Sequence, residues 1–253
     1  VLSPYRGIAC EADLIFVDNA ADNYRLIEAK DYYKYTYATD ALGFKYIFDY
    51  ATQHHQPCVI NFSEGSPQDF RGDDQLYYEL LAGLTGPGRI IVSSAGNDGE
   101  KTTYIHKGIG KERAGTFLRS KSKSFGCTAK SRQPFTFRVS IYNKVASPKT
   151  VDVSTVRVCS SKDSLLTDSV LVDGKMYKWS VLAFPNSYNR QETAYDLRLS
   201  CKQGLGDNPR VSLQIVGRDA DVELYRTSGE MFTDVLDPTL NAGDCSRTVF
   251  SPS

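Results

Sequence analysis

Residues 89–99 read RIIVSSAGNDG: an apolar, β-branched run closes on a turn that carries Asn97 between Gly96 and Gly99. A second run, VINFSEGS at 59–66, closes on Gly65 in a similar way. Glycine lets another backbone approach closely. An asparagine amide offers two N–H donors and no charge. Such a donor suits an oxyanion that exists only in a transition state, because a neutral group costs less than a cation to hold waiting. The same asparagine also serves as a left-handed turn residue with no chemistry at all. These residues by themselves leave both readings open.

The other side chains able to do chemistry are scattered. His54 and His55 close a helical pattern, where the C-terminal end of the helix favours an imidazolium without any catalysis. His106 stands alone in strand-like text, and Asp18 ends the apolar run LIFV. Asp73-Asp74 and Asp219-Ala220-Asp221 could bind structural calcium in principle, although solvated turn acids need no metal. The six cysteines, Cys10, Cys58, Cys127, Cys159, Cys201 and Cys245, form no C-x-x-C pair, which argues against zinc. Buried free thiols are expected, with one or two disulfides left open, and the redox compartment with them. No motif calls for a cofactor.

Two kinds of element must position these groups. Over residues 1–100 the text alternates strand and helix: ADLIFV (12–17), PCVINF (57–62) and RIIVSSA (89–95) are short apolar runs of the kind buried on both faces. Between the first two, Ala41, Phe44, Ile47, Phe48 and Ala51 follow helical spacing, with Thr39 or Asp40 to cap the start. Between the second and third, Leu76, Leu80, Leu81 and Leu84 define a helical face that Gly86-Pro87-Gly88 stops. Strand, helix, strand, helix, strand predicts a parallel sheet with right-handed crossovers.

From about 101 to 235 the period changes to two. FTFRVSIYN (135–143), AYDLRLSCK (194–202), RVSLQIVG (210–217) and DVELYR (221–226) alternate apolar and polar. VLVDGKMYKWSV (170–181) places Asp173-Gly174 between two strand patterns, a two-residue hairpin signal, with Tyr177 and Trp179 expected in the core beside Met176 and Val181. In TVDVSTVRVCS the apolar phase slips at Ser154-Thr155, which predicts a bulge. Many short alternating strands imply an antiparallel sandwich or jelly roll. The basic stretch RSKSKSFGCTAKSR (119–132) reads as a solvated loop.

Bulk properties narrow the class. The chain has 253 residues with 30 basic against 30 acidic side chains, which argues against nucleic acid or a membrane surface as the main partner. A chain of this size buries roughly 70–75% of its unfolded surface and needs no staples. No apolar run reaches the ~18 residues of a membrane span. The start, VLSPYRGIAC, has neither an initiator Met nor a signal peptide, so the chain is expected to begin inside a longer protein.

GIACEADLIFV (7–17), FKYIFDYATQHHQPCVINFSEGS (44–66) and IIVSSAGNDG (90–99) occur in order and at workable spacing. Together they resemble the central part of the catalytic domain of a subtilisin-like serine peptidase (a subtilase). The resemblance implies an α/β fold: a partial subtilisin-like parallel sheet with flanking helices over 1–100, an inserted antiparallel, jelly-roll-like β-sandwich over 101–235, and a return segment over 236–253. It implies that Asn97 is the side-chain donor of the oxyanion hole. It implies that Ser63, Glu64 and Gly65 pair with the substrate backbone as an added strand. Ser94, Ala95 and Gly96 would form the opposite wall of the pocket. Glu64 stands where many relatives carry an apolar residue. The Asp, His and Ser of the triad have no counterpart: Gly115-Thr116 is followed by Phe117, and no histidine has the family context.

The function expected from this resemblance is that of a fragment of a serine endopeptidase, inactive alone. The expected partners are a peptide or protein substrate and, across exposed sheet edges, a second copy or the missing parts of the catalytic domain. Secretion or the cell envelope is the implied location. The alternative is a non-catalytic peptidase-like scaffold whose β-sandwich binds a protein.

Overall fold

The computed structural model describes residues 9–18, 37–63, 70–72, 74–94, 103–118, 123–142, 147–205, 211–228 and 244–246. Two compact units result, one of Val1–Ser63 with Asp74–Ser93, the other of Glu64–Asp73 with Ser94–Ser253.

In the first unit the helical period builds α1 (Tyr37–Gln53) and α2 (Gln75–Leu84), which alternate with strands β1 (Cys58–Phe62) and β2 (Arg89–Ser93). Phe44, Phe48 and Ile60 form its buried centre, with Phe62, Leu81, Leu84 and Ile91 packed around them. Phe44 meets Phe62 edge-on at 5.0 Å between ring centroids. β1 and β2 pair in parallel from Cys58↔Arg89 to Phe62↔Ser93. Gly88, at φ +75° beside Pro57, makes the turn into β2 that a Cβ-bearing residue would strain.

The face of α2 differs from the one its leucines predict. Leu76 is 79% and Leu80 46% exposed. Leu81 and Leu84 pack inward as expected, joined by Tyr77. Residues 77, 81 and 84 also lie at i, i+4 and i+7, and burying that stripe removes a large aromatic ring from water.

The second unit contains β3 (Tyr104–Lys107), β4 (Arg113–Phe117), β5 (Ser124–Ser131), β6 (Thr136–Ile141), β7 (Lys149–Ser154), the short helix α3 (Thr155–Ser160), β8 (Leu165–Val172), β9 (Lys175–Pro185), β10 (Thr193–Cys201), β11 (Val211–Val216), β12 (Val222–Ser228) and β13 (Asp244–Ser246). They form a seven-stranded sheet, β13-β3-β12-β5-β10-β9-β8, and a four-stranded sheet, β4-β11-β6-β7. Every strand pair in both is antiparallel. One apolar core serves the two sheets: Phe125, Leu197 and Leu199 enter it from the larger, Phe137, Val139 and Leu213 from the smaller. Asp173 and Gly174 both take positive φ, 47° and 72°, as the two-residue β8–β9 hairpin requires.

The phase slip at Ser154-Thr155 is a helix start, not a bulge. Thr155 is fully buried; its Oγ donates to the Phe135 carbonyl at 2.8 Å, and the Phe135 N–H donates back to it at 2.9 Å. Val158, one helical turn on, is buried too. The apolar period therefore changes from two to 3.6 at that point.

The described architecture corrects the expected fold class. ADLIFV forms no strand: residues 13–18 lie outside any ladder, with Leu14 72% and Phe16 86% exposed. Among the described residues only β1 and β2 pair in parallel, and the remaining sheet structure is antiparallel. The chain is thus mostly antiparallel β, not an α/β protein with a partial subtilisin-like parallel sheet. The resemblance to subtilisin-like peptidases falls with it. Its physical weakness was that a short apolar run specifies burial but not strand direction or partner.

Candidate functional site

The parallel pairing of β1 and β2 ends level, at Phe62↔Ser93. The two glycine-containing stretches therefore leave from neighbouring carboxyl ends, the place where open parallel sheets accept ligands. Ser63 follows β1 directly and is exposed; its hydroxyl donates to Asn61 Oδ1 at 3.5 Å, the limit of a hydrogen bond. Ser94 follows β2 and is half-buried. Glu64, Gly65, Ala95, Gly96 and Asn97 lie outside the described residues. Val59, Ile90 and Val92, on the sheet face away from the buried centre, are 63%, 51% and 49% exposed.

None of the histidines meets a serine hydroxyl among the described contacts. His54 stacks on Tyr50 with ring centroids 4.3 Å apart, and His55 occupies a left-handed turn at φ 58°. His106 Nε2 lies 2.7 Å from Asp221 Oδ1. This acid–imidazole pair joins residues 115 positions apart and had no signal in the local text. Gly115-Thr116 lies within β4, where Thr116 is fully buried. Asp18 is exposed. Among the described residues no three His, Cys, Asp or Glu side chains converge on a metal position. Cys127 and Cys201 are buried free thiols, Cys58 is half-buried, and Cys10 and Cys159 are exposed. Burial raises the Cys127 thiol well above its ordinary value, so it stays protonated and inert.

A second constellation secures the segment that follows the β1 stretch. Phe70 is 4% exposed and rests against Tyr225, ring centroids 5.0 Å apart. Its carbonyl accepts the Ser187 N–H at 3.0 Å. Arg71 reaches Asp196 at 2.6 Å and lies over the Phe184 ring at 4.9 Å. The Thr128 hydroxyl donates to the other Asp196 oxygen. Gly72, at φ +78°, passes so close to Ser187 that a Cβ would sit 2.9 Å from the serine Cβ.

The floor under Phe70 is polar and fully partnered. Tyr225 donates to Glu223 at 2.7 Å, and Lys130 pairs with the same carboxylate at 2.6 Å. Burial alone would raise Glu223, but the hydrogen bonds from Lys130 and Tyr225 outweigh it and hold the carboxyl below its usual range. Tyr225 and Tyr104 are pushed far above the normal phenol value, first by burial and then by that carboxylate. At neutral pH this cluster is an ion pair ringed by un-ionised phenols.

No family model matches the chain, and no curated protein matches it. Among solved structures it is similar to the CspB protease of Clostridium perfringens, with a TM-score of 0.51 at 14% identity over 82% of this chain. The chain spans 44% of the length of that structure. At this identity the likeness is one of fold, and the fold it resembles is that of a protease.

Proposed function

We propose that the chain forms part of an endopeptidase that cleaves peptide bonds by acyl transfer. The observation that carries this reading is the level parallel pairing of β1 and β2, which starts the stretches at 63–66 and 94–99 from adjacent strand ends. The likeness in fold to a protease points the same way. In this reading Asn97 donates its amide to the oxyanion of the tetrahedral intermediate. Ser63, Glu64 and Gly65 hold the substrate backbone as an added strand, opposite Ser94, Ala95 and Gly96. In this reading the nucleophile and its base are supplied from outside this chain, since His54, His55 and His106 meet no serine hydroxyl among the described contacts.

Two measurements test the reading. The purified chain should give no turnover of a fluorogenic peptide library. Turnover that a serine-directed phosphonate abolishes would show that the chain is self-sufficient. In a longer gene product that contains this chain and has peptidase activity, Asn97→Ala should lower kcat by about 10²–10³ with KM little changed, the cost of one oxyanion-hole donor. An unchanged kcat would remove Asn97 from the chemistry and the proposal with it.

A further inference from the structure

The seven-stranded sheet turns its second face away from the shared core, and an open groove of about 550 Å³ runs over β8, β9, β10, β5 and the end of β12. Its floor follows from the register. One cross-strand row reads Thr167, Ser180, Arg198, Gly126 and Ser228. The next reads Ser169, Lys178, Ser200 and Ser124. Hydroxyls thus fill almost every position that does not hold a cation. The alternate residues Tyr177, Val181, Leu197 and Leu199 are buried in the core, so Lys178 and Arg198 stand on the groove side.

These two cations stand on one face of the sheet without a counter-charge. Among the described residues neither Lys178 nor Arg198 has an ion-pair or hydrogen-bond partner, whereas Lys130 and Arg71 on the same sheet face are each paired. Asp168 is the one carboxylate among the described lining residues, and its Oδ1 accepts the Ser169 N–H at 2.7 Å. Gly126 keeps the floor open. A Cβ there would lie 2.4 Å from Ser228 Oγ, which would have to rotate away from its place beside Arg198's cross-strand position.

We propose that this groove binds a tetrahedral oxyanion, a phosphate or sulfate group carried on a small ligand. Lys178 is the cross-strand partner of Ser200, two residues along from Arg198. Diagonal neighbours of this kind have Cα atoms about 7–8 Å apart, within reach of two long side chains closing on one anion. The guanidinium fork matches two oxygens of a phosphate or sulfate. Ser180, Ser200 and Thr167 rotate their hydroxyls to donate to the rest. The stretch at 119–132, expected as a solvated loop, is strand β5 from Ser124 to Ser131, with Phe125, Cys127 and Ala129 in the core. The site is independent of the β1–β2 strand ends.

The test is an amide NMR titration of the chain with sodium phosphate and, separately, sodium sulfate, against sodium chloride at matched ionic strength. Saturable shifts at Ser180, Ser200 and Gly126 are expected for at least one of the two anions, and the stronger of the two identifies the group. Arg198→Ala and Lys178→Ala are exposed positions that leave the core intact, and each should weaken binding by about tenfold. Shifts that merely track ionic strength, or an isotherm unchanged in the double variant, would overturn the site. Retained circular dichroism in each variant separates lost binding from lost fold.

Discussion

Phe70→Ala tests whether the seven-stranded sheet secures the segment that follows the β1 stretch. The ring is 4% exposed and lies 5.0 Å from Tyr225, so truncation removes nearly a whole phenyl group from a packed site. Buried Phe→Ala substitutions cost about 3–5 kcal/mol. Phe70 is anchored within a short segment, where neighbours can close over the gap, so the lower end, about 3 kcal/mol, is expected. With a urea m-value of about 2 kcal/mol/M, the midpoint falls by about 1.5 M. The single tryptophan, Trp179, sits on β9, so its fluorescence reports on this unit. Hydrogen exchange adds a local readout, because the Ser187 N–H donates to the Phe70 carbonyl and should lose protection in the variant. Arg71→Ala should cost less than about 1 kcal/mol, since Arg71 is 39% exposed and its ion pair is solvent-screened. An unchanged midpoint together with an equally protected Ser187 amide in Phe70→Ala would refute the anchor.

Three further outcomes follow from packing and charge. Gly115→Ala puts a Cβ 2.6 Å from both Gln214 Cγ and the Leu213 carbonyl, and backbone cannot yield as a side chain can; a thermal melt should show a loss of about 1–3 kcal/mol. Ser212 Oγ is buried without a partner among the described residues, so Ser212→Ala should be neutral or slightly stabilising, and a loss beyond about 1.5 kcal/mol would reveal a missed hydrogen bond. Glu223 has a folded-state pKa below its unfolded value, so its contribution is complete above about pH 4.3 and is lost as pH falls through the folded value; Glu223→Gln should therefore flatten the acid side of the stability–pH curve while Asp152→Asn, on an exposed pair, changes it little.

The candidate site was legible only where the signal is local. The strand ends near Phe62 and Ser93 could be read from apolar runs closing on glycine, because strand and turn preferences act over a few residues. Asn97, Glu64, Gly65, Ala95 and Gly96 lie outside the described residues, and the role proposed for them rests on residue type. By contrast, the Arg71–Asp196 pair spans 125 residues and the His106–Asp221 pair 115, and no short-range pattern encodes either.

For the fold, the sequence by itself determined the periods: the helical stripe of Phe44 and Phe48, the alternation of Phe137, Val139 and Ile141, and the Asp173-Gly174 hairpin all follow from which side chains must leave water. Tertiary structure alone decided which strands meet and in what direction. It left ADLIFV outside any ladder, rotated α2 onto Tyr77, turned Thr155 into a helix start and gathered most strands into antiparallel sheets. The physical reason is that hydrophobic burial is non-directional: a period says which face is apolar, and only the competition among all faces for one core says what covers it.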